Sequence, residues 1–358
     1  MEIKYLKLTN FRNFIECDFN FPAEGSLIFG RNGIGKTNLL EAIAYFAFGK
    51  SFQNSKDTEL INFSKAFFRL EGNFKFSQKE HLFEAAADRT KKIIKIDGNT
   101  ISRISDLYKY LKVVYFSPVD INITGGPPSY RRSFIDQAVS QYSFDYITNL
   151  RDYNRILKQR NALLKSEFDP HEKRIWDNQF VDLAVQIIRQ RLIYLEEFIP
   201  VLQEYYHQIS DNRDKLSIKY KYSFPQNGDD LETSLQEHLE DSVEQEVHYE
   251  RSLSGPHLDD IELMIDDHPV RQFGSQGQKR SLAIAVRLVQ AKLIARHSDE
   301  TPILMFDDVL SDLDKERSTQ IMNLLHEEHQ IFIATPNKIN YQSFELAEIN
   351  LEQTDENE

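Results

Sequence analysis

The chain has 358 residues and a hydrophobic fraction of 41%, enough for two or three packed units around a large core. It has a single cysteine, Cys17, which excludes an intrachain disulfide. The sequence shows no apolar leader, and no apolar stretch approaches the roughly 20 residues needed to span a membrane, so we expect a soluble cytoplasmic protein. The net charge of −13 comes from residues 227–250 and 347–358, which carry 14 acids and no Lys or Arg, so the remainder sums to +1 and nucleic-acid binding is not excluded.

The first third of the chain predicts short strands and one helix. Alternating apolar residues predict strands within 3–8 and 15–21, and further strands are expected at 27–29, within 66–104 and at 113–116, with a hairpin turn at 97–99. Residues 37–48 predict a helix because their apolar residues share one face, and Gly49 is suited to end it.

The rest of the chain is helical first and then alternates between strands and helices. Residues 129–210 show helical periodicity broken at Pro170, whereas the acidic stretch 227–250 is compatible with a helix or a loosely ordered loop. Strands are predicted at 216–223, 303–306 and 331–333, a hairpin around Asp267-His268, and helices at 279–295 and 314–327. This pattern predicts an α/β domain built from both chain ends (1–118 and 251–358) and interrupted by a largely helical insertion, 119–250.

A glycine-rich segment follows the strand at 27–29. Its sequence, Gly30-Arg31-Asn32-Gly33-Ile34-Gly35-Lys36-Thr37, is a complete P-loop pattern. The glycines let backbone N–H groups curl around phosphate oxygens, and the following helix adds the positive end of its dipole. Lys36 is then expected to reach the β- and γ-phosphates of ATP, and the Thr37 hydroxyl to be a Mg²⁺ ligand.

The apolar strand at 303–306 ends in two acids, Asp307 and Asp308, which is the Walker B pattern. Asp307 is expected to hold the Mg²⁺ shell and Asp308 to orient or deprotonate the attacking water, so the two acids and Lys36 form the predicted catalytic set. Two acids after an apolar run also occur by chance, and it is the P-loop upstream that favours the catalytic interpretation.

Ser275, Gln276, Gly277 and Gln278 precede the helix at 279–295. Ser275 is suited to cap that helix, and a serine and a glycine at a helix N-terminus also suit a second phosphate site. Ser311-Asp312-Leu313-Asp314 follows Walker B and has the position of a D-loop. With residues 275–278 as the signature, the order of P-loop, signature, Walker B and D-loop resembles that of ABC-type ATPases. That resemblance implies that residues 275–278 contact the γ-phosphate held by the P-loop of a second subunit.

Other parts of an ABC-type site are not evident. Thr335 stands near the position where transporter-type ATPases carry a γ-phosphate-sensing histidine, and no glutamine fits the Q-loop. The ten histidines lack metal-ligand spacing, so they predict no metal site of their own.

Two stretches, 86–115 and 126–165, are rich in basic residues and are candidates for a DNA face. The candidate contacts are Lys91, Lys92, Lys95, Arg131, Arg132, Arg151, Arg155, Lys158 and Arg160. Arg151, Arg155 and Lys158 have the spacing of one helix face. The alternative is that these bases pair with nearby acids such as Asp145 and Asp152, or lie in solvent.

Longer strings resemble the RecF family of bacterial recombination mediators, which have ABC-type, SMC-like heads. These strings are Leu8-Thr9-Asn10-Phe11-Arg12-Asn13-Phe14, Phe116-Ser117-Pro118-Val119-Asp120, Ser129-Tyr130-Arg131-Arg132-Ser133-Phe134-Ile135-Asp136, Tyr153-Asn154-Arg155-Ile156-Leu157-Lys158-Gln159-Arg160-Asn161, Ser254-Gly255-Pro256-His257 and Phe273-Gly274-Ser275-Gln276-Gly277-Gln278. One departure is Leu258, since the family usually has an arginine there.

The resemblance implies an ATP- and Mg²⁺-binding protein with weak ATPase activity used as a switch, which forms a homodimer with ATP and binds duplex, gapped or junction DNA. It further implies work with RecR and RecO to load RecA at single-strand gaps in repair, replication and the SOS response. Two alternatives stay open, and a third is disfavoured. The ATPase subunit of a membrane transporter would have the same motifs, although the stretch of about 240 residues from Thr37 to Ser275 is large for docking a membrane partner. Another SMC-like head would also fit, whereas a P-loop nuclease or defence ATPase would need a separate domain of acidic metal ligands, for which there is no room.

Overall fold

The chain forms two compact units, Met1–Asp120 with Ile284–Glu358, and Ile121–Ala283. The structure is a computed structural model that describes residues 1–53, 55–141, 143–210, 214–226, 228, 230–298, 300–310, 315–325, 329–336 and 346–353. The three-part domain scheme expected from the sequence stays a prediction. None of the helices in the described ranges combines the length and the apolar composition that a membrane crossing requires.

Most helices lie after residue 120, and the first part of the chain consists mostly of strands. In chain order the strands are β1 Glu2–Phe11, β2 Phe14–Asn20, β3 Gly25–Phe29, β4 Phe67–Phe76, β5 Lys79–Asp88, β6 Lys92–Ile96, β7 Asn99–Thr100, β8 Val113–Phe116, β9 Leu216–Lys221, β10 Asp260–Ile265, β11 His268–Pro269, β12 Ile303–Asp307, β13 Ile331–Thr335 and β14 Ala347–Asn350. The helices are α1 Lys36–Phe48, α2 Ile121–Gly125, α3 Pro128–Ser140, α4 Phe144–Leu163, α5 Pro170–Ile209, α6 Leu231–Asp241, α7 Val243–Tyr249, α8 Val270–Phe273, α9 Gln276–His297 and α10 Lys315–Leu324.

A parallel sheet in the first unit positions the candidate site. Its described strands lie in the order β14-β3-β13-β12-β8. Strands β12 and β13 are buried along their whole length, as their continuous apolar sequences predict for a sheet covered on both faces. The register pairs Asp307 with Ala334 and Thr335 with Phe29, so the carboxyl ends of β3, β12 and β13 lie at one edge of the sheet. This arrangement confirms the predicted α/β class.

The second sheet of the first unit is antiparallel, with the described order β2-β1-β4-β5-β6-β7. Helix α1 contributes a nearly continuous run of buried residues to a core shared with both sheets, including Leu40, Ile43 and Phe46. The predicted stop at Gly49 is confirmed, since Gly49 has φ 61° and its N–H donates to the Tyr45 carbonyl. A side chain at this left-handed position would be strained.

The second unit is built on long helices and a small sheet, β11-β10-β9. The predicted break at Pro170 is the start of α5, where the Asp169 side chain accepts a hydrogen bond from the His171 N–H. Within the acidic stretch, residues 231–241 and 243–249 form the helices α6 and α7, so the helical alternative is the correct one for these residues. The turn before His268 has Asp266 and Asp267 at positive φ, which confirms the predicted hairpin.

Candidate nucleotide-binding site

The P-loop connects β3 to α1 and has the backbone of a curled loop. Gly30, Gly33 and Gly35 have φ values of 147°, 84° and 116°, which side-chain-bearing residues rarely adopt. At Gly35 there is also no room, because a Cβ would lie 2.6 Å from Nδ2 of Asn13. The sequence pattern therefore corresponds to a conformational requirement at each of these glycines.

Lys36 lies inside this curl. Its Nζ donates to the carbonyl of Gly30 at 2.6 Å and to that of Arg31 at 3.1 Å. Burial lowers the pKa of the ammonium, while the carboxylates of Asp308, Asp307 and Glu352 act in the opposite direction. The lysine thus brings its charge to the concave side of the loop, as a phosphate-binding lysine must.

Asp307 joins the P-loop to the end of β12. Its Oδ1 accepts a hydrogen bond from the Thr37 hydroxyl at 2.9 Å, and its Oδ2 accepts one from the Tyr115 hydroxyl at 2.6 Å. Burial raises the pKa of the Asp307 carboxyl, and the two hydrogen bonds oppose that rise. This hydrogen bond therefore connects Thr37 of the P-loop with Asp307 of the Walker B strand, which are 270 positions apart in the chain.

Asp308 and Thr335 lie beside this carboxylate at the sheet edge. Asp308 adopts φ 55°, and its N–H donates to the Ala334 carbonyl at 2.9 Å. Thr335 is 2% exposed, and its hydroxyl has no hydrogen-bond partner among the described residues. A buried hydroxyl in this state has unused capacity to bond a ligand or a water molecule.

Sequence patterns did not identify three further residues that contact the site. Asn13 donates from Nδ2 to the Ile34 carbonyl at 2.8 Å, Glu352 accepts from the Arg31 N–H at 3.1 Å, and Tyr115 bonds Asp307 as described. Each is distant in sequence from the residue it contacts, so no local spacing could indicate it.

These residues fit a magnesium–nucleotide ligand. The Thr37 hydroxyl and the Asp307 carboxylate are the oxygen donors that Mg²⁺ prefers. The glycine curl, with Lys36 in it and α1 behind it, matches a polyphosphate. The Thr335 hydroxyl at the same sheet edge, which has no partner within the described part of the chain, could bond a further ligand atom there.

The predicted signature segment lies at the start of α9, in the residues that belong to the second unit. The Ser275 hydroxyl accepts from the Gln278 N–H at 3.2 Å, and the Gln278 side chain accepts from the Ser275 N–H at 2.9 Å. This reciprocal pair is a capping box, so the predicted cap is confirmed and the phosphate-binding role of residues 275–278 stays a prediction. The predicted D-loop, 311–314, lies outside the described residues.

Two of the predicted DNA contacts are wrong. Arg131 is 5% exposed, and its guanidinium makes two bonds to Asp260 at 2.7 and 3.0 Å. Arg160 is fully buried between Glu246 and Asp177, at 2.5 and 2.7 Å. Because both guanidinium groups are enclosed and already paired with carboxylates, neither can contact a phosphate in this structure.

The other basic candidates differ in exposure. Arg132 is half-buried and donates to the Asp259 carbonyl at 2.9 Å. Lys92 is also half-buried and pairs with the Asp57 carboxylate at 2.8 Å. Lys95 is half-buried as well. The exposed candidates are Lys91, Arg151, Arg155 and Lys158. Arg151 pairs with Asp152 at 3.2 Å, which is the ion pair that the alternative interpretation predicted.

Comparison with known proteins gives consistent results over nearly the whole chain. The family model of the RecF/RecN/SMC N-terminal domain matches residues 2–355. The DNA replication and repair protein RecF of Macrococcus caseolyticus is 33% identical over 347 residues, which cover 94% of this chain and 93% of that protein. The RecF protein of Bacteroides thetaiotaomicron is 33% identical over 344 residues, with 94% and 92% covered.

Comparison with solved structures gives the same family as the sequence comparisons. A structure described as the recombination mediator protein RecF-ATP in the RecFOR pathway matches with a TM-score of 0.88 and 31% identity, covering 94% of this chain and 92% of that one. The Smc head domain of Pyrococcus furiosus matches with a TM-score of 0.55 at 15% identity, which supports the fold alone. The chain therefore belongs to the RecF/RecN/SMC N-terminal domain family and, within it, to the RecF proteins.

Proposed function

We propose that this chain is an ATP-dependent DNA-binding recombination mediator, in which bound ATP drives homodimerisation and the dimer holds DNA. The observation that carries the proposal is the hydrogen bond between Thr37 and Asp307, because it joins the P-loop to the Walker B strand in the arrangement a Mg²⁺-nucleotide requires. A RecF relative solved with ATP supports the choice of nucleotide.

The site residues then have separate roles in the proposal. Lys36 and the P-loop amides bind the β- and γ-phosphates, and Thr37 and Asp307 hold the metal. Magnesium, when bound, supplies charge neutralisation between these phosphates. Asp308 orients the attacking water, and Ser275 with the rest of 275–278 contacts the γ-phosphate of a second subunit. An aspartate at position 308 has a shorter reach than the glutamate usual in transporters, so turnover is slow and hydrolysis works as a switch.

DNA is proposed to bind through the exposed bases, among them Arg155 and Lys158. Contacts of this kind go to phosphates and carry little sequence information, which suits a protein that recognises duplex, gapped or junction DNA. Since a close structural relative is placed in the RecFOR pathway, we extend the proposal to work with RecR and RecO in loading RecA at single-strand gaps. The family assignment favours this function over the transporter-subunit alternative.

The test is DNA binding with and without ATP, on duplex and on gapped substrates, with oligomeric state followed by light scattering. We expect ATP and Mg²⁺ to convert monomer to dimer and to tighten DNA binding in parallel. Dimerisation without any change in DNA affinity would leave an ATPase switch but contradict the DNA role. No nucleotide binding at all would contradict the whole proposal.

A further inference from the structure

Tyr115 approaches the Walker B carboxylate from the neighbouring strand. In the parallel ladder it pairs with Met305, and Asp307 follows on the same face of β12 because strand side chains alternate. The phenol therefore extends along the sheet toward Asp307, and its hydroxyl donates to Oδ2 at 2.6 Å. Tyr115 is 8% exposed, so little water competes for this bond.

The tyrosine ring is itself held in place. The ring of Phe52 lies over it, with centroids 3.8 Å apart and planes at 32°. The other carboxylate oxygen, Oδ1, is bonded by the Thr37 hydroxyl. Each oxygen of Asp307 thus has its own donor, and these two donors define the rotation of the carboxylate about its side-chain bonds.

A carboxylate that serves a metal ion depends on such donors, because they fix its orientation before the metal binds. Losing one of them typically costs about 10- to 100-fold in metal affinity or activity. In the proposed site, Thr37 is also needed by the metal, whereas the Tyr115 hydroxyl bonds only the Asp307 carboxylate among the residues that the structure describes.

We propose that Tyr115 is a positioning residue, which orients Asp307 through its hydroxyl so that the carboxylate is ready for the magnesium ion of the bound nucleotide. This inference rests on the proposed nucleotide-binding function. It adds Tyr115, from a third strand (β8), to a site otherwise built from the P-loop and the Walker B strand.

The variant that tests it is Tyr115→Phe, which removes the hydroxyl and keeps the ring. Binding of the fluorescent analogue mant-ATP is measured first in EDTA and then during a MgCl₂ titration of the full chain. We expect unchanged affinity in EDTA and a roughly tenfold or greater rise in the Mg²⁺ concentration needed for half of the magnesium-dependent change.

The matched control is Tyr45→Phe. Tyr45 is also buried in the first unit, and its hydroxyl also donates to an aspartate, Asp57, at 2.9 Å. The two variants lose the same chemical group, so a merely structural role predicts the same magnesium requirement for both, and that result would overturn the inference. Magnesium-independent nucleotide binding by the wild type would overturn it as well, while a wild type that binds no nucleotide overturns it together with the proposed function.

A measurement on the unmutated fold covers the case in which Tyr115→Phe does not fold. 3-Fluorotyrosine is incorporated at position 115, or at position 45 as the control, and the ¹⁹F spectrum of the ATP-bound protein is recorded while Mg²⁺ is added. The inference predicts that the resonance at 115 moves and that at 45 does not. A resonance at 115 that stays unmoved while magnesium demonstrably binds contradicts it.

Discussion

Both units of the molecule enclose charged side chains, but they use them differently. In the first unit, Lys36 and Asp307 lie beside a curled glycine loop, and the nearby Thr335 hydroxyl has no partner among the described residues. In the second, the guanidinium of Arg160 is paired with two carboxylates, and that of Arg191 bonds Asp136 and the Pro256 carbonyl, each at 2.8 Å. Charge next to unused hydrogen-bonding capacity indicates a ligand site, whereas charge surrounded by its partners indicates a polar core.

This difference explains what the family strings of the second unit do. Tyr153 and His257 come from two different strings, and the tyrosine hydroxyl bonds His257 Nδ1 at 2.6 Å. Arg160, from the same string as Tyr153, is the centre of a buried ion-pair cluster. At these positions the resemblance therefore records internal packing and not contact with DNA.

The largest expected effect tests the polar core. Arg160→Ala leaves Glu246, which is fully buried, without its charged partner, so we expect a loss of about 3–5 kcal/mol in the free energy of unfolding. Urea denaturation followed by circular dichroism measures it. Arg155→Ala on the exposed face of the same helix is the control and should cost no more than about 0.5 kcal/mol. Equal losses of unfolding free energy in the two variants would contradict the assignment of Arg160, but not Arg155, to a buried polar core.

The next effect concerns chemistry in the first unit. Asp308→Asn keeps the shape of the side chain but removes the proposed water-activating carboxylate, so turnover should fall about 100-fold or more while ATP binding persists. The ATP-bound dimer should then accumulate, as measured by light scattering with ATP and Mg²⁺. Asp267→Asn, in the β10–β11 turn, is the matched control. A variant at position 308 that remains monomeric would contradict the proposed role.

Nucleotide affinity should respond somewhat less. Lys36→Ala removes a buried ammonium from the concave side of the P-loop, and we expect ATP affinity to fall roughly 100-fold, measured by calorimetry, without unfolding of the chain. Arg31→Ala is the control, because Arg31 is in the same loop but exposed. Undiminished affinity in the Lys36 variant would refute the assignment of the P-loop.

The same contrast separates what the sequence can predict from what it cannot. The P-loop glycines could be predicted because a local backbone conformation requires them, and the strand at 303–306 because a continuous apolar run is typical of a buried parallel strand. Tyr115 could not, since its role depends on which strand lies beside β12. The prediction for Arg160 is wrong because it followed the basic composition of the stretch. Five residues from Arg155 is a rotation of about 140° around an α-helix, so the spacing already places Arg160 away from the face that carries Arg155 and Lys158.

The smallest expected effect concerns the exposed bases of the second unit, where the structure leaves the DNA hypothesis standing. Arg155 and Lys158 are exposed on α4, unlike Arg160 of the same helix. The double variant Arg155→Glu/Lys158→Glu should weaken duplex binding about tenfold at moderate salt and leave ATP-driven dimerisation intact. If each base contacts one phosphate, the slope of log affinity against log salt should become less negative by roughly 1.8, which is about 0.9 for each contact.

The control for this variant must change the net charge equally, because any added negative charge repels DNA over a Debye length of about 10 Å. Lys219→Glu/Arg271→Glu does so with exposed bases of the same unit that lie outside the basic stretch 126–165. A general charge effect would weaken DNA binding to the same extent in both double variants. A contact on α4 predicts the slope change for the α4 variant alone, and wild-type DNA binding by that variant would show that this helix is not the DNA face.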